Sequence, residues 1–197
     1  HSVAEKLERF KLHEIDLTRG AVLETGCVYI VPLLESLELP ADIAAAAKMC
    51  AATKFRNAGQ VCISPTRFYV ENGVYDEFAE KFATNTKAMV VGEGIAEGTQ
   101  IGPLIGQRRL DVMQDLVDDA VSHGAKVLTG GERLGNKGYF YKPTILKDVS
   151  EDAKIMNDEP FGPVAPVSSF SDFDELVTRA NKLEYGLASY AFTTNGA

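Results

Sequence analysis

The stretch Phe55-Arg56-Asn57-Ala58-Gly59-Gln60-Val61-Cys62-Ile63-Ser64-Pro65-Thr66-Arg67 restricts what this chain can fold into more than any other. The alanine-rich run 41–54 leading into it predicts a buried helix. Pro40 and Asp42 open that helix, since proline is tolerated in a first turn. Gly59 can take the positive φ that ends a helix, and Pro65 blocks any return to one. Cys62 is thereby held in a short connection before the β-like Arg67-Phe68-Tyr69-Val70. Loops present side chains to clefts, so a thiol at this boundary is a candidate nucleophile. The competing reading is a small buried hydrophobe, which is how most free cysteines behave.

A second motif, Glu159-Pro160-Phe161-Gly162-Pro163-Val164, begins 97 positions after Cys62. Gly59-Gln60-Val61-Cys62, with Phe55 and Asn57 before it, closely resembles the catalytic cysteine signature of the aldehyde dehydrogenase superfamily. The second motif resembles that family's other signature, in the right order and at the right separation. The resemblance is continuous from Lys54 onward and patchy before it. It implies Cys62 as the nucleophile, Glu159 as the hydrogen-bond partner of the ribose next to a nicotinamide, and Phe161 as the ring packed on that nicotinamide. The cofactor would be NAD or NADP, and the family commonly pairs its subunits, which implies a homo-oligomer. In family branches acting on semialdehydes with a distal carboxylate, an arginine at the position of Arg56 forks that carboxylate. Succinate semialdehyde or a near relative is then the leading substrate. Arg67 offers a second guanidinium, or a strand-edge role. Some members carry a second cysteine two positions after the nucleophile; here that position is Ser64.

Glu24 is the remaining carry-over. It lies in Glu24-Thr25-Gly26-Cys27, between the β-like runs Ala21-Val22-Leu23 and Val28-Tyr29-Ile30-Val31. The family has Glu-Leu-Gly-Gly here, its glutamate serving as the base near the nucleophile, and a slightly shorter stretch to the cysteine. Glu24 is thus expected to be the base, the alternative being a solvated carboxylate at a strand end.

Composition narrows the remaining classes. The chain has 197 residues, a net charge of −8 and no basic cluster, which argues against nucleic acid or an anionic membrane surface as partner. No apolar run is long enough to span a bilayer. Cys27, Cys50 and Cys62 form no metal or disulfide spacing, and a reducing, cytoplasmic setting is expected. His123, in Ser122-His123-Gly124, reads as a helix C-terminus, and neither it nor His13 suggests a Cys-His hydrolase. The chain starts at His1 and stops after a strand-like run, so a piece of a longer protein is expected.

Taken in order, 2–14 reads as an amphipathic helix, 75–89 as a helix with Phe78, Phe82 and Met89 toward a core, and 92–106 as a glycine-rich surface loop without a phosphate-binding pattern. A helix over 107–122 places Leu110, Met113, Val117 and Val121 on one face. Strands are expected at 126–128, at 139–146 broken by Pro143, at 164–170 and, after a helix over 173–183, within 185–192. Helices alternating with strands predict an α/β fold, an open, twisted, mostly parallel sheet with helices on both faces. The chain reads as a single catalytic domain over 1–197, with 1–23 as the tail of a cofactor-binding domain lying mostly outside it.

The leading function is oxidation of a small aldehyde by NAD or NADP through a cysteine thiohemiacetal and thioester. The rivals are a non-catalytic relative serving as a binding module, and a cysteine acyl transferase or esterase, which would leave Glu159-Pro160-Phe161 without a role.

Overall fold

The computed structural model describes residues 42–193. Glu24, Cys27, the 2–14 helix, the paired strand runs around Glu24 and the expected boundary near residue 23 lie outside the described residues. The described elements belong to a compact unit, Pro40–Phe192.

Helix α1 (Ile43–Phe55) starts where Asp42 accepts the Ala44 N–H at 2.8 Å, a side-chain cap that satisfies one otherwise orphaned amide. Strand β1 (Phe68–Glu71) follows, then a short 3₁₀ turn over Asn72–Val74 and helix α2 (Tyr75–Lys87). After the glycine-rich loop come α3 (Gln107–Ser122), β2 (Lys126–Thr129), β3 (Thr144–Lys147), the single-turn α4 (Lys154–Asn157), β4 (Val164–Phe170) and α5 (Phe173–Ala180).

The sheet runs β1-β4-β3-β2. β4 pairs in parallel with β1 and with β3, while β2 closes one edge antiparallel to β3. This is the expected open, mostly parallel sheet. In β4, Val164, Ala165, Pro166, Val167 and Ser168 are all buried, so both faces of the central strand are covered, as parallel sheets require.

Helix α2 lays Phe78 and Phe82 into the core. The Phe82 ring centroid lies 5.0 Å from Phe68, 5.5 Å from Phe78 and 6.3 Å from Phe55, in tilted contacts favoured by ring quadrupoles. Phe55, the last residue of α1, is thus anchored one residue before Arg56 and the cysteine loop.

Several expected boundaries move. The strand at 139–146 pairs only from Thr144, because Pro143 just before it has no N–H to give; Tyr141 keeps an isolated bridge with Arg133. Residues 185–192 form no strand among the described residues. Their tyrosines instead donate hydroxyl hydrogen bonds, Tyr185 to the Asn157 carbonyl and Tyr190 to the Ile63 carbonyl, both at 2.9 Å. Helix α5 stops at Ala180, short of 183, and Val121 on α3 is exposed, with Leu116 and Ala120 buried in its place. His123 caps α3 as expected, its Nδ1 2.8 Å from the Asp119 carbonyl.

Two buried polar groups stand apart. Burial pushes the Cys50 thiol up to about 12, consistent with an inert core cysteine. Four residues on, Lys54 is fully buried, and its Nζ has no hydrogen-bond partner among the described residues. Desolvation lowers its pKa from 10.5 to about 7. Between these values the unfolded chain holds a proton that the folded chain lacks, so stability rises with pH across that window. We predict that Lys54→Met removes this slope and raises stability at neutral pH by about 1–4 kcal/mol. Thermal denaturation of both proteins between pH 7 and 10 checks this; parallel pH profiles would show that Lys54 does not titrate in the fold.

Candidate active site

The cysteine loop is set by an unusual backbone. After α1, Asn57, Ala58 and Gly59 all take positive φ, 51°, 54° and 71°. Glycine was expected here; the preceding two left-handed residues were not. Asparagine tolerates this region, whereas alanine costs about 1–2 kcal/mol there. The reversal turns the chain back over α1. A tight turn follows, closed by the Ser64 N–H donating to the Val61 carbonyl at 2.9 Å, which puts Cys62 on its exposed corner. Ser64 is buried, and its hydroxyl donates to the Lys54 carbonyl at 3.1 Å, tying the turn to the end of α1. Cys62 is therefore an accessible thiol on a braced turn, and the buried-hydrophobe reading fails for it.

The two motifs meet through their glycines. A Cβ on Gly59 would lie 2.2 Å from the Gly162 carbonyl oxygen, so the backbones touch and only glycine fits at 59. A Cβ on Gly162 would lie 2.2 Å from the Met113 sulfur of α3. Arg109, one turn earlier on α3, donates to the Pro160 carbonyl at 3.1 Å. Glu159 is exposed, and its carboxylate accepts no hydrogen bond and joins no ion pair among the described residues. Phe161 is half-buried, with φ 41°.

Arg56 is exposed at the mouth of a cleft of about 230 Å³, lined also by Ala52, Thr53, Val61, Ile63 and Ser64. Val61 and Ile63 flank Cys62 in sequence, while Cys62 itself is not among the residues that line the cleft. Arg67 does not reach this cleft. Its guanidinium donates to the Arg179 and Ala180 carbonyls, at 3.3 and 3.0 Å, at the end of α5.

Gln60 was not expected to matter. Its Oε1 accepts the Ile105 N–H at 2.9 Å, and its Nε2 donates to the Asn57 and Pro103 carbonyls at 3.1 and 3.3 Å. Nothing in the spacing of the motif reveals the bonds to Pro103 and Ile105, because these partners lie 43 and 45 positions away. Among the described residues, no group of His, Cys, Asp or Glu could hold a metal ion, and no helix is long and apolar enough to cross a membrane.

The model of the aldehyde dehydrogenase family matches residues 23–197. A probable succinate-semialdehyde dehydrogenase (NADP(+)) of Sinorhizobium fredii is 46% identical over 155 residues, which cover 79% of this chain and 32% of that protein. A glutarate-semialdehyde dehydrogenase of Pseudomonas putida is 44% identical over 152 residues, covering 77% and 31%. The crystal structure of succinate-semialdehyde dehydrogenase from Burkholderia pseudomallei matches with a TM-score of 0.76 at 38% identity, over 78% of this chain and 32% of that one. The chain thus spans about a third of the length of the curated relatives it matches.

The exposure of the two described cysteines predicts their reactivity. Under native conditions iodoacetamide should label Cys62 stoichiometrically before Cys50 reacts at all, as peptide mass mapping will report. Equal labelling of the two would mean that the turn does not present the thiol.

Proposed function

The chain belongs to the aldehyde dehydrogenase family, and on that premise we propose that it carries the thiol-bearing part of an NAD(P)-dependent enzyme oxidising a carboxylated semialdehyde to the acid. Succinate semialdehyde or a near relative is the substrate that the site supports best. The observation that carries this reading is that Arg56 lines the same cleft as Val61 and Ile63, the residues on either side of Cys62. The names of the relatives in Sinorhizobium fredii, Pseudomonas putida and Burkholderia pseudomallei, each a dehydrogenase of a dicarboxylic semialdehyde, support it.

An aldehyde carbon yields hydride readily only once it is tetrahedral. The Cys62 thiolate supplies that state by forming a C–S bond to the carbonyl carbon, and the carbonyl electrons move to oxygen. In this reading the Cys62 backbone N–H donates to that oxyanion. A nicotinamide held by Glu159 and Phe161 would supply the acceptor for the hydride that the tetrahedral carbon expels. Loss of hydride leaves a thioester on Cys62. Glu24 then takes a proton from water, which attacks the thioester; the acid leaves and the thiolate returns.

Glu159 and Phe161 fit the cofactor in chemistry. The exposed carboxylate can accept two ribose hydroxyls, and the half-buried ring offers an apolar face to a nicotinamide. At the other end of the substrate, Arg56 provides a planar fork for a carboxylate that has shed its water on entering the cleft.

The test compares kcat/KM for succinate semialdehyde and for a neutral aldehyde of similar length, in the protein that carries this chain. Arg56→Ala should lower the first by roughly 10- to 100-fold, equivalent to about 1.5–3 kcal/mol, and the second far less. Arg56→Lys should recover only part, since it keeps the charge without the fork. Glu24→Gln should allow one burst of reduced cofactor and then stall at the thioester. Equal losses for both aldehydes would remove the semialdehyde assignment. Absence of any aldehyde-dependent cofactor reduction would leave a non-catalytic binding module as the better reading.

A further inference from the structure

The turn bearing Cys62 is gripped from a second direction. Gln60 spends its whole side-chain amide on this grip: the oxygen accepts the Ile105 N–H, and the nitrogen donates to the Asn57 and Pro103 carbonyls. Asn57 answers with its own amide, donating to the Gln60 carbonyl at 3.1 Å, while the Gln60 N–H returns to the Asn57 carbonyl at 3.0 Å. The left-handed residues 57–59 are therefore closed into a ring with Gln60, and that ring is bolted to residues 103–105.

Those residues form a firm anchor. The glycine-rich loop before them folds back on itself, the Gly92 N–H donating to the Ile101 carbonyl at 3.0 Å and the Ile101 N–H to the Val90 carbonyl at 3.1 Å. Ile101 and Leu104 are buried, and the Leu104 N–H donates to the Tyr139 carbonyl at 2.8 Å. The loop runs straight into α3, whose Arg109 and Met113 support Pro160 and Gly162. One continuous segment, 101–113, thus holds the cysteine turn at one end and the second motif at the other.

We propose that Gln60 is a positioning residue for Cys62: its amide transmits the register of segment 101–113 to the turn, so that the thiol and the Glu159–Phe161 motif are held in one fixed relation. Gln60 touches no reacting atom and acts only through the turn. The proposal rests on the reading of Cys62 as the nucleophile of aldehyde oxidation.

The experiment uses Gln60→Ala and Gln60→Glu in the protein that carries this chain. Alanine removes all three bonds, whereas glutamate keeps the acceptor for Ile105 and loses the donors. Amide exchange at Ile105 reads the grip independently of activity. It should accelerate in Gln60→Ala and stay near its original rate in Gln60→Glu. For succinate semialdehyde, kcat should fall about 10- to 100-fold in Gln60→Ala with KM shifting less than about threefold, the pattern of a misplaced reacting group. Gln60→Glu should lie between the two. An unchanged Ile105 exchange rate in Gln60→Ala would overturn the proposal, as would faster exchange with kcat kept within about twofold. A common loss of kcat, KM and melting temperature that glutamate does not relieve would reduce Gln60 to a folding role and overturn it as well. If the unsubstituted protein reduces no cofactor with any aldehyde, the reading of the site fails separately. The iodoacetamide rate at Cys62 then decides: a change of about threefold or more in Gln60→Ala supports positioning, and no change overturns it.

Discussion

The close approach of Gly59 to the Gly162 carbonyl is the contact on which the rest of this site depends. It joins two motifs 97 positions apart in sequence, and it does so through backbone alone. A side chain at 59 would meet the Gly162 oxygen at 2.2 Å, and φ 71° would strain it even in open space. Both conditions point to glycine, for independent reasons. Because no rotamer is involved, the contact leaves little freedom in how the turn carrying Cys62 faces the turn carrying Glu159 and Phe161.

The scaffold around this contact is economical. Helix α3 supports the second motif through Met113 and Arg109, and the loop entering α3 holds the cysteine turn through Gln60. Helix α1 supports the same turn from below, through the Ser64 hydroxyl on the Lys54 carbonyl and through Phe55 locked into the aromatic cluster around Phe82. The sheet enters at one more point, where the Thr144 N–H at the start of β3 donates to the Pro163 carbonyl at 2.9 Å. The Cys62 thiol is thereby kept exposed on a corner whose neighbours on both sides are fixed, as the proposed covalent chemistry on a positioned carbonyl would demand.

Much of this was legible from residues alone, and the exceptions share a cause. Helix 107–122 and strand 164–170 match their expected ends, because both have strong local patterns and clear punctuation. The two-sided burial of β4 likewise follows from an apolar run between crossover helices. Pro143 was visible as a break, yet only the pairing register shows that the strand begins after it. The run 185–192 has the composition of a strand, but a strand also needs a partner edge, which composition cannot supply. At the site, the loop position of Cys62, the positive φ of Gly59 and the burial of Cys50 were readable. Gln60 was not, since its bonds to Pro103 and Ile105 exist only after the chain has folded. Arg67 takes the structural one of its two readings, donating to carbonyls at the end of α5 rather than reaching the cleft.

Gly59 and Gly162 couple the two motifs mechanically, and amide hydrogen exchange on Gly59→Ala puts that coupling to the test. A side chain at 59 must push the Gly162 carbonyl aside, at about 1–3 kcal/mol for overpacking and about 1–2 kcal/mol for the left-handed backbone. Ser64, bonded to Val61, and Thr144, bonded to Pro163, should then lose protection together although they lie in different elements. Loss of protection at Ser64 with Thr144 as protected as in the unsubstituted protein would contradict it, and would mean that the two motifs are neighbours without being coupled.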